Sequence, residues 1–320
     1  MIRTEELTKY YGDFCALRDL DVHIEKGHVF GYIGPNGAGK TTTIRILAAL
    51  MKPTSGRAFI GDINVSHNPR RIKELVGYLP DFFGVYEGMR VQEYLDFFGA
   101  AFKIRRKERQ KRIEKVLDIT GSTYMRDMFV EALSRGMKQR VGIARTLLHD
   151  PSVLLLDEPL SGLDPTARIE MKELLRKLGQ MGKTILVSSH ILPELSAICD
   201  SVGILDHGQL HAFGSVAEVM RGIRQNRLVE LEVLDDPDGA AALLRKTAEQ
   251  VEIENIEVQD RTVRFEWNAS DAQLSKLLTS LVEKGFNVLG FQEVPISLEE
   301  AFVELTGHVP EEERPAPEAV

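Results

Sequence analysis

A glycine-rich run followed by lysine and threonine has the composition of a phosphate-binding loop. It consists of Gly34, Pro35, Asn36, Gly37, Ala38, Gly39, Lys40, Thr41 and Thr42. The glycines let the backbone curl so that successive N–H groups point inward at a phosphate. Lys40 supplies a charge for the β- and γ-phosphate oxygens, and Thr41 supplies a hydroxyl for Mg²⁺. The run therefore predicts a site for a nucleotide with Mg²⁺. A chance glycine-rich turn is the alternative, and the elements predicted on either side argue against it.

Two acidic residues, Asp157 and Glu158, directly follow the apolar segment 153–156. A carboxylate at the end of a buried strand is well placed to hold Mg²⁺ directly or through water, and we predict this role for Asp157. Glu158 would then face the water beyond the γ-phosphate and act as general base. Metal binding and proton transfer need two carboxylates, because one stays bound to the metal while the other accepts a proton. A helix N-cap pair before Pro159 is the alternative.

Apolar runs and a helical pattern predict the elements that position these residues. Residues 29–33 form a short strand that leads into the glycine run, and a helix from 40 to about 51 follows it. Residues 153–156 and 184–187 are nearly continuous apolar runs, as in strands buried on both faces of a parallel sheet. The helix predicted at 167–181 between them gives a β-α-β unit with a right-handed crossover.

The pattern changes after about residue 221. Half-buried strands and amphipathic helices are predicted there, at 228–234, 262–267, 271–284, 287–294 and from Ser297 onward. The predicted domains are an ATPase domain at 1–220 with a helical subdomain at about 82–150, a small α/β domain at 221–308, and a disordered tail at 309–320. The tail prediction follows from its proline and glutamate content.

Charge and composition exclude several classes of protein. The net charge of −8 argues against nucleic-acid binding, for which a basic face is expected. Two cysteines, Cys15 and Cys199, indicate neither a disulfide framework nor a zinc site, which fits a reducing cytosol. No signal peptide is recognised, and no apolar segment approaches the ~18–20 residues of a membrane helix. If the chain serves a membrane process, another chain must cross the membrane.

The turn Leu133-Ser134-Arg135-Gly136-Met137, together with the motifs above, resembles the nucleotide-binding subunit of ATP-binding cassette (ABC) transporters over roughly residues 1–220. The resemblance implies a P-loop NTPase fold with a mixed/parallel sheet, a helical subdomain and a small C-terminal α/β domain. It implies further site residues as well. These are Ser134, Arg135, Gly136 and Met137 against the partner's ATP, Asp164 in a loop linking two sites, His190 at the γ-phosphate, and Tyr11 on adenine.

Several of these assignments have alternatives. Tyr11 could be a strand core residue instead, and Tyr10 competes with it for adenine stacking. A lone His190 could be a structural histidine, although the carboxyl end of a buried strand is where α/β proteins bind ligands.

Two residues depart from the family pattern. Asp81 stands where the family usually has a glutamine that touches Mg²⁺ and the attacking water, and we predict that Asp81 keeps the metal contact. Arg135 stands where the commonest family turn has glycine. Its side chain would supply a cation to the partner's nucleotide or face solvent, and we favour solvent. Both departures, with the C-terminal extension, resemble the subfamily paired with ABC-2-type permeases, which are mostly exporters.

The sequence thus predicts an ATPase subunit on the inner, cytoplasmic face of the cell membrane. Its expected partners are a second copy or a paired cassette subunit, and an integral membrane permease supplied by another chain. A soluble cassette ATPase for DNA repair or translation, a non-hydrolysing nucleotide sensor and a metabolic P-loop kinase are the rival classes. Glu158 and His190 argue against the sensor, and the turn at Ser134 argues against the kinase.

Overall fold

A computed structural model describes residues 1–84, 86–190, 195, 198–223, 227–248 and 253–294. The described residues up to Val219 form one compact unit, and those from Met220 onward form a second. The helix predicted from Ser297 and the tail at 309–320 lie outside the described residues. Within the described part of the chain, no helix is both long enough and apolar enough to cross a membrane.

The centre of the first unit is a six-stranded sheet whose inner strands are parallel. Its order is β11-β10-β4-β9-β8-β7, with only β11 antiparallel to its neighbour. The strands are β4 (Val29–Ile33), β7 (Val76–Leu79), β8 (Val153–Leu156), β9 (Thr184–Ser189), β10 (Ser201–Asp206) and β11 (Gln209–Gly214). Every residue of β4, β8 and β9 is buried, as the continuous apolar runs predict.

A second, antiparallel sheet covers one side of this core. It is built from β1 (Ile2–Tyr11), β2 (Phe14–Leu20), β3 (His23–Ile24), β5 (Ser55–Ile60) and β6 (Ile63–Asn64). One buried apolar cluster joins the sheets, and it includes Leu17 of β2, Ile60 of β5 and Leu155 of β8. On the other face of the parallel sheet, Gly31 has no side chain, and the Cys199 sulfur packs closely against it.

Helices of the first unit surround or extend the sheets. Those described include α1 (Lys40–Leu47), α2 (Pro69–Leu75), α3 (Val91–Ala101), α4 (Arg106–Ile119), α5 (Arg135–Leu147) and α6 (Pro165–Gln180). α3, α4 and α5 pack together within the stretch 82–150. There Arg145 of α5 lies over the rings of Phe83 and Phe98 and donates to the Tyr94 hydroxyl.

The second unit is a four-stranded antiparallel sheet with helices. The strand order is β13-β14-β12-β15, where β12 is Arg227–Val233, β13 is Ile253–Gln259, β14 is Thr262–Trp267 and β15 is Val288–Val294. Helices Pro237–Thr247 and Asp271–Glu283 contribute to the same core. Val263, Phe265 and Trp267 all point into that core, as the alternating pattern of β14 predicts.

Two predicted helix boundaries are wrong. α1 ends at Leu47 rather than near Met51, because Ala49 adopts a left-handed conformation and the chain turns back there. α6 begins at Pro165, two residues before the predicted start at 167, because Asp164 acts as the N-cap.

Candidate functional site

The phosphate loop lies between β4 and α1, as predicted, and close packing explains its glycines. A Cβ on Gly34 would lie 2.2 Å from the Leu205 carbonyl oxygen, and one on Gly39 would lie 2.6 Å from that of Ala16. Gly39 also has a φ of +107°, a region that favours glycine. The loop therefore needs small residues so that the backbone itself can form the cradle and deliver Lys40 to the first turn of α1.

Lys40 is buried at the start of α1 and is surrounded by oxygen atoms. Its Nζ donates to the carbonyl oxygens of Gly34, at 2.6 Å, and Pro35, at 3.2 Å. The same Nζ lies 3.2 Å from Glu158 Oε1. The ammonium is therefore held over the glycine loop, where phosphate oxygens would compete for it with the oxygens of the protein.

The carboxylate groups of Asp157 and Glu158 have different partners, which supports two separate roles. Asp157 Oδ1 accepts hydrogen bonds from Thr41 Oγ1 at 3.1 Å and from Ser188 Oγ at 2.8 Å. Burial raises the pKa of Asp157, and these two hydrogen bonds oppose that effect. A cation bound between Thr41 and Asp157 would favour the charged carboxylate, so these two residues fit the predicted Mg²⁺ contact.

Glu158 is partly buried, and its neighbours favour the carboxylate form. His190 Nδ1 donates to Glu158 Oε2 at 2.9 Å, and Lys40 lies against the other oxygen. Burial acts to raise the pKa of Glu158, but the hydrogen bond from His190 and the charge of Lys40 together lower it below its usual value. His190, which directly follows β9, thus helps to keep Glu158 in its charged form.

Ser188 is a site residue that sequence reasoning missed. Its hydroxyl donates to Asp157 and accepts from the backbone N–H of Glu158 at 3.0 Å, so one side chain fixes both acidic residues. Glu158 itself has a φ of +50°, an uncommon conformation that this bond helps to hold. The signal was a fully buried hydroxyl at the carboxyl end of an apolar strand.

The signature turn (residues 134–137) starts α5 and lies partly on the surface. Ser134 is exposed, and its Oγ accepts a hydrogen bond from the Met137 N–H at 3.3 Å. Gly136 is buried, and a Cβ there would lie 2.8 Å from the Cβ of Ala167 in α6. The turn is therefore seated against the first turn of α6, while Ser134 stays accessible to another molecule.

Asp164 is the N-cap of α6, as Ser134 is the N-cap of α5. Its Oδ1 accepts from the Ala167 N–H at 2.9 Å, and Pro165 occupies the first helical position. The starts of α5 and α6 thus meet at Gly136 and Ala167, which brings the signature turn beside the loop predicted to link two sites.

Tyr11 is not a strand core residue. It ends β1, and its side chain is 45% exposed, while that of Tyr10 is 41% exposed. The Tyr11 hydroxyl contacts Met51 Sδ at 3.0 Å. Tyr10 pairs with Cys15 on β2. Both rings are accessible for stacking, so the choice between them stays a prediction.

Asp81 and Arg135, the two residues that depart from the family pattern, contact each other. Arg135 Nη2 lies 3.5 Å from Asp81 Oδ1, and both side chains are about one-third or more exposed, at 41% and 34%. Burial raises the pKa of Asp81, and the Arg135 charge opposes this rise. Sequence reasoning placed Arg135 in solvent or on the partner's nucleotide and did not foresee this contact. The predicted metal contact of Asp81 stays a prediction.

The fold and the site together define a P-loop ATPase of the cassette type. A family model described as "ABC transporter" matches residues 17–161, and one described as "ATP-binding protein DrrA1-3-like, C-terminal domain" matches residues 214–306. The bacitracin transport ATP-binding protein BcrA of Bacillus licheniformis is 36% identical over 310 residues, which cover 96% of this chain and 97% of that protein. The linearmycin resistance ATP-binding protein LnrL of Bacillus subtilis is 29% identical, covering 96% and 98%.

Solved structures agree with these matches. The cassette MJ0796, in a dimeric post-hydrolysis state bound to ADP and Pi, is 25% identical with a TM-score of 0.60, and the match covers 68% of this chain and 99% of that one. An ATP-binding subunit of an ABC transporter is 30% identical with a TM-score of 0.62, covering 69% and 92%. The chain belongs to the family of ABC transporter ATP-binding proteins, and its activity is ATP hydrolysis coupled to transport.

Proposed function

We propose that this chain hydrolyses ATP with Glu158 as general base and thereby powers an export permease formed by another chain. The observation that carries the proposal is the pair of adjacent carboxylates with divided contacts. Asp157 is bonded to Thr41 and Ser188, whereas Glu158 is bonded to His190 and Lys40. This division matches the need for one metal-holding and one proton-accepting group.

Lys40 links substrate binding to the strength of the base. Its ammonium contacts Glu158 at 3.2 Å, and the β- and γ-phosphates of ATP would compete for that same ammonium. As Lys40 turns toward phosphate, Glu158 loses a neighbouring cation, and its affinity for a proton increases. Glu158 would then take the proton of the attacking water, while His190 keeps the carboxylate oriented through Oε2.

Thr41 and Asp157 are the residues that would hold Mg²⁺, which supplies charge neutralisation at the phosphates. Thr41 Oγ1 and Asp157 Oδ1 are already 3.1 Å apart, so two oxygen donors converge beside the glycine loop. Asp81, after β7, is a further candidate on the same side of the sheet. The described partner of Asp81 is Arg135.

We further propose that two copies, or this chain and a paired cassette, close around ATP. Ser134 and the backbone of Gly136 would contact the nucleotide held by Lys40 of the partner, at the positive end of α5. The exposure of Ser134 supports this role, as does the dimeric state of the related cassette MJ0796. Asp164, at the start of α6, would carry contacts between the two sites.

The relatives support export and a membrane partner. BcrA is named for bacitracin transport and LnrL for linearmycin resistance, and both match almost the whole chain, including the C-terminal unit. We propose that the chain works on the cytoplasmic face of the membrane with a permease that exports a drug, lipid or polysaccharide. Cargo selection would lie in the permease.

The test is the Glu158→Gln variant, which keeps the shape of the side chain but removes the base. With saturating ATP and Mg²⁺ it should elute as a dimer with little ATPase activity, whereas the wild-type chain should hydrolyse ATP and return to monomer. Lys40→Met should stay monomeric, because it cannot hold the phosphates. Glu173→Gln, which removes a carboxylate from the exposed face of α6, is the matched control and should behave as wild type. A Glu158→Gln chain that remains monomeric would contradict the mechanism.

A further inference from the structure

Arg135 occupies an unusual place, because one guanidinium group meets three separate segments of the chain. Its first contact is Asp81, which is 54 residues earlier and follows β7, at 3.5 Å from Arg135 Nη2 to Asp81 Oδ1. Its second contact is the ring of Phe82, whose centroid lies 5.3 Å from the guanidinium carbon. These two contacts place Arg135 over the loop that leaves the parallel sheet beside the acid pair.

The third contact is with Gly162, in the loop between Glu158 and α6. A Cβ built on Gly162 would lie 2.7 Å from Arg135 Nη1 and 2.8 Å from its Cζ. The guanidinium group therefore covers the bare Cα of Gly162, whose φ of +64° also favours glycine. Glycine at 162 makes room for the arginine at 135.

The cavity beside Arg135 has a volume of about 240 Å³ and is lined by Asp81, Phe82, Phe83, Arg135, Lys138 and Gln139. Gln139 is buried, and its amide nitrogen reaches the Asp81 carbonyl oxygen at 3.5 Å. A second residue of α5 thus contacts the same backbone, so the loop at Asp81 and the start of α5 are joined at two points.

We propose that Arg135 is a positioning residue that ties the nucleotide site of its own chain to the turn which that chain presents to its partner's nucleotide. The proposal rests on the function proposed above. Asp81 lies two residues after Leu79, whose carbonyl oxygen accepts a hydrogen bond from the Asp157 N–H at 2.8 Å. Arg135 is the first residue of α5, next to Ser134. A shift of Asp81 would therefore be transmitted through one ion pair to the signature turn.

The same guanidinium would transmit a shift of Gly162 to the signature turn. Arg135 can do this better than lysine, because its planar fork can contact Asp81 and lie flat on Gly162 at once. The consequence is that the two ATP sites of a dimer are not independent: occupancy of one site alters the surface offered to the other.

The first experiment is a double-mutant cycle of Arg135→Gln and Asp81→Asn, with kcat, the Mg²⁺ dependence and the Hill coefficient for ATP as readouts. Each single variant should lower the Hill coefficient. The double variant should have a Hill coefficient and a kcat no lower than those of the more affected single variant. The effects on kcat should therefore be non-additive by about two- to fivefold. Arg135→Lys should recover only part of the loss. Lys138→Gln removes a neighbouring cation from the same cavity and should leave cooperativity unchanged.

Independent, multiplicative effects of the two substitutions would overturn the proposal. That result is expected if Arg135 touches only the partner's nucleotide. A wild-type chain without ATPase activity would instead contradict the proposed function, so the two failures can be told apart.

The second experiment separates contact with Arg135 from backbone strain at Gly162. Gly162→Ala is made in the wild-type chain and in the Arg135→Gln chain. The backbone strain of alanine at a positive φ is the same in both chains. The new methyl group displaces a guanidinium group only in the chain that keeps Arg135. The proposal expects a larger loss of cooperativity in the wild-type background. Equal losses in the two backgrounds would show that Gly162 and Arg135 do not act together.

Discussion

The acid pair at the end of β8 shows how neighbouring residues acquire different chemistry. The Asp157 carboxylate accepts hydrogen bonds from two hydroxyl groups, and burial raises its pKa. The Glu158 carboxylate lies against a lysine and a histidine, which lower its pKa. Sequence reasoning predicted two different roles for this pair, because strand position and residue type are local properties, and both roles stay predictions. The role of Ser188 could not be predicted from the sequence, because a serine at the end of a buried strand has many possible partners. Only the fold determines which of them it contacts.

His149 is expected to make the stability of the protein depend on pH. Its ring stacks on Phe102 at 4.1 Å, its Nε2 lies 3.1 Å from the Val76 carbonyl oxygen, and its Nδ1 is buried without a hydrogen-bond partner among the described residues. Burial lowers the pKa of His149 below the ordinary 6.5. The unfolded chain therefore binds this proton more readily, so the contribution of neutral His149 is complete above about pH 6.5 and falls as the pH drops.

The measurement for His149 is the urea midpoint at about pH 7.5 and about pH 5.5. The wild-type midpoint should fall more between the two conditions than that of His149→Phe, which keeps the stacking on Phe102 but cannot be protonated. His23→Phe, at an exposed site, is the control and should leave the difference unchanged. An unchanged difference in His149→Phe would contradict the assignment.

At the scale of elements, the starts of α5 and α6 are packed too closely for a larger residue. A Cβ on Gly136 would lie 2.8 Å from that of Ala167, so Gly136→Ala should push the two helix starts apart. We expect a loss of stability of about 1–3 kcal/mol and a larger relative loss of ATPase activity, because Ser134 and Asp164 cap these helices. Thermal unfolding and steady-state ATPase assays measure the two effects.

The double variant Gly136→Ala with Ala167→Gly removes the methyl group of residue 167 and so makes space for the new methyl group at residue 136. It should recover most of the activity, although a glycine inside α6 costs about 0.5–1 kcal/mol. If activity stays low while stability recovers, Gly136 has a role of its own that packing does not explain.

The packing of α5 against α6 could not be predicted from the sequence, although the helix α6 itself could. Periodicity located α6 and the strands beside it, because each pattern is local. It could not place Gly136 against Ala167, which depends on how two helices cross. It also misplaced the end of α1 and the start of α6, where Ala49 and the Asp164 cap decide the boundary.

At the scale of the whole molecule, two separate cores divide the described chain. The core of the first unit includes residues of both of its sheets, whereas Trp267, the single tryptophan of the sequence, lies in the core of the second unit. Each core can unfold in its own transition, since neither cluster contains residues of the other. Composition and pattern indicated a change after residue 221, but only the packing shows two cores.

ATP should therefore stabilise one unit and not the other. At a concentration about one hundred times the Kd, ATP with Mg²⁺ should raise the stability of the first unit by ~2.7 kcal/mol. Far-ultraviolet circular dichroism during urea unfolding should show this shift, while the Trp267 fluorescence transition should stay where it is. Lys40→Met, as control, should show neither shift. A parallel shift of the fluorescence transition would mean that the two units unfold as one.

The close packing of Cys199 against Gly31 also affects labelling chemistry. Burial raises the pKa of the Cys199 thiol, so little of the reactive thiolate forms at neutral pH. Cys15, the other cysteine of the sequence, lies on β2 opposite Tyr10, next to the candidate adenine-stacking ring of Tyr11. A maleimide dye would thus attach to the unaltered chain mainly at Cys15, and its fluorescence would report nucleotide arrival without any engineered cysteine.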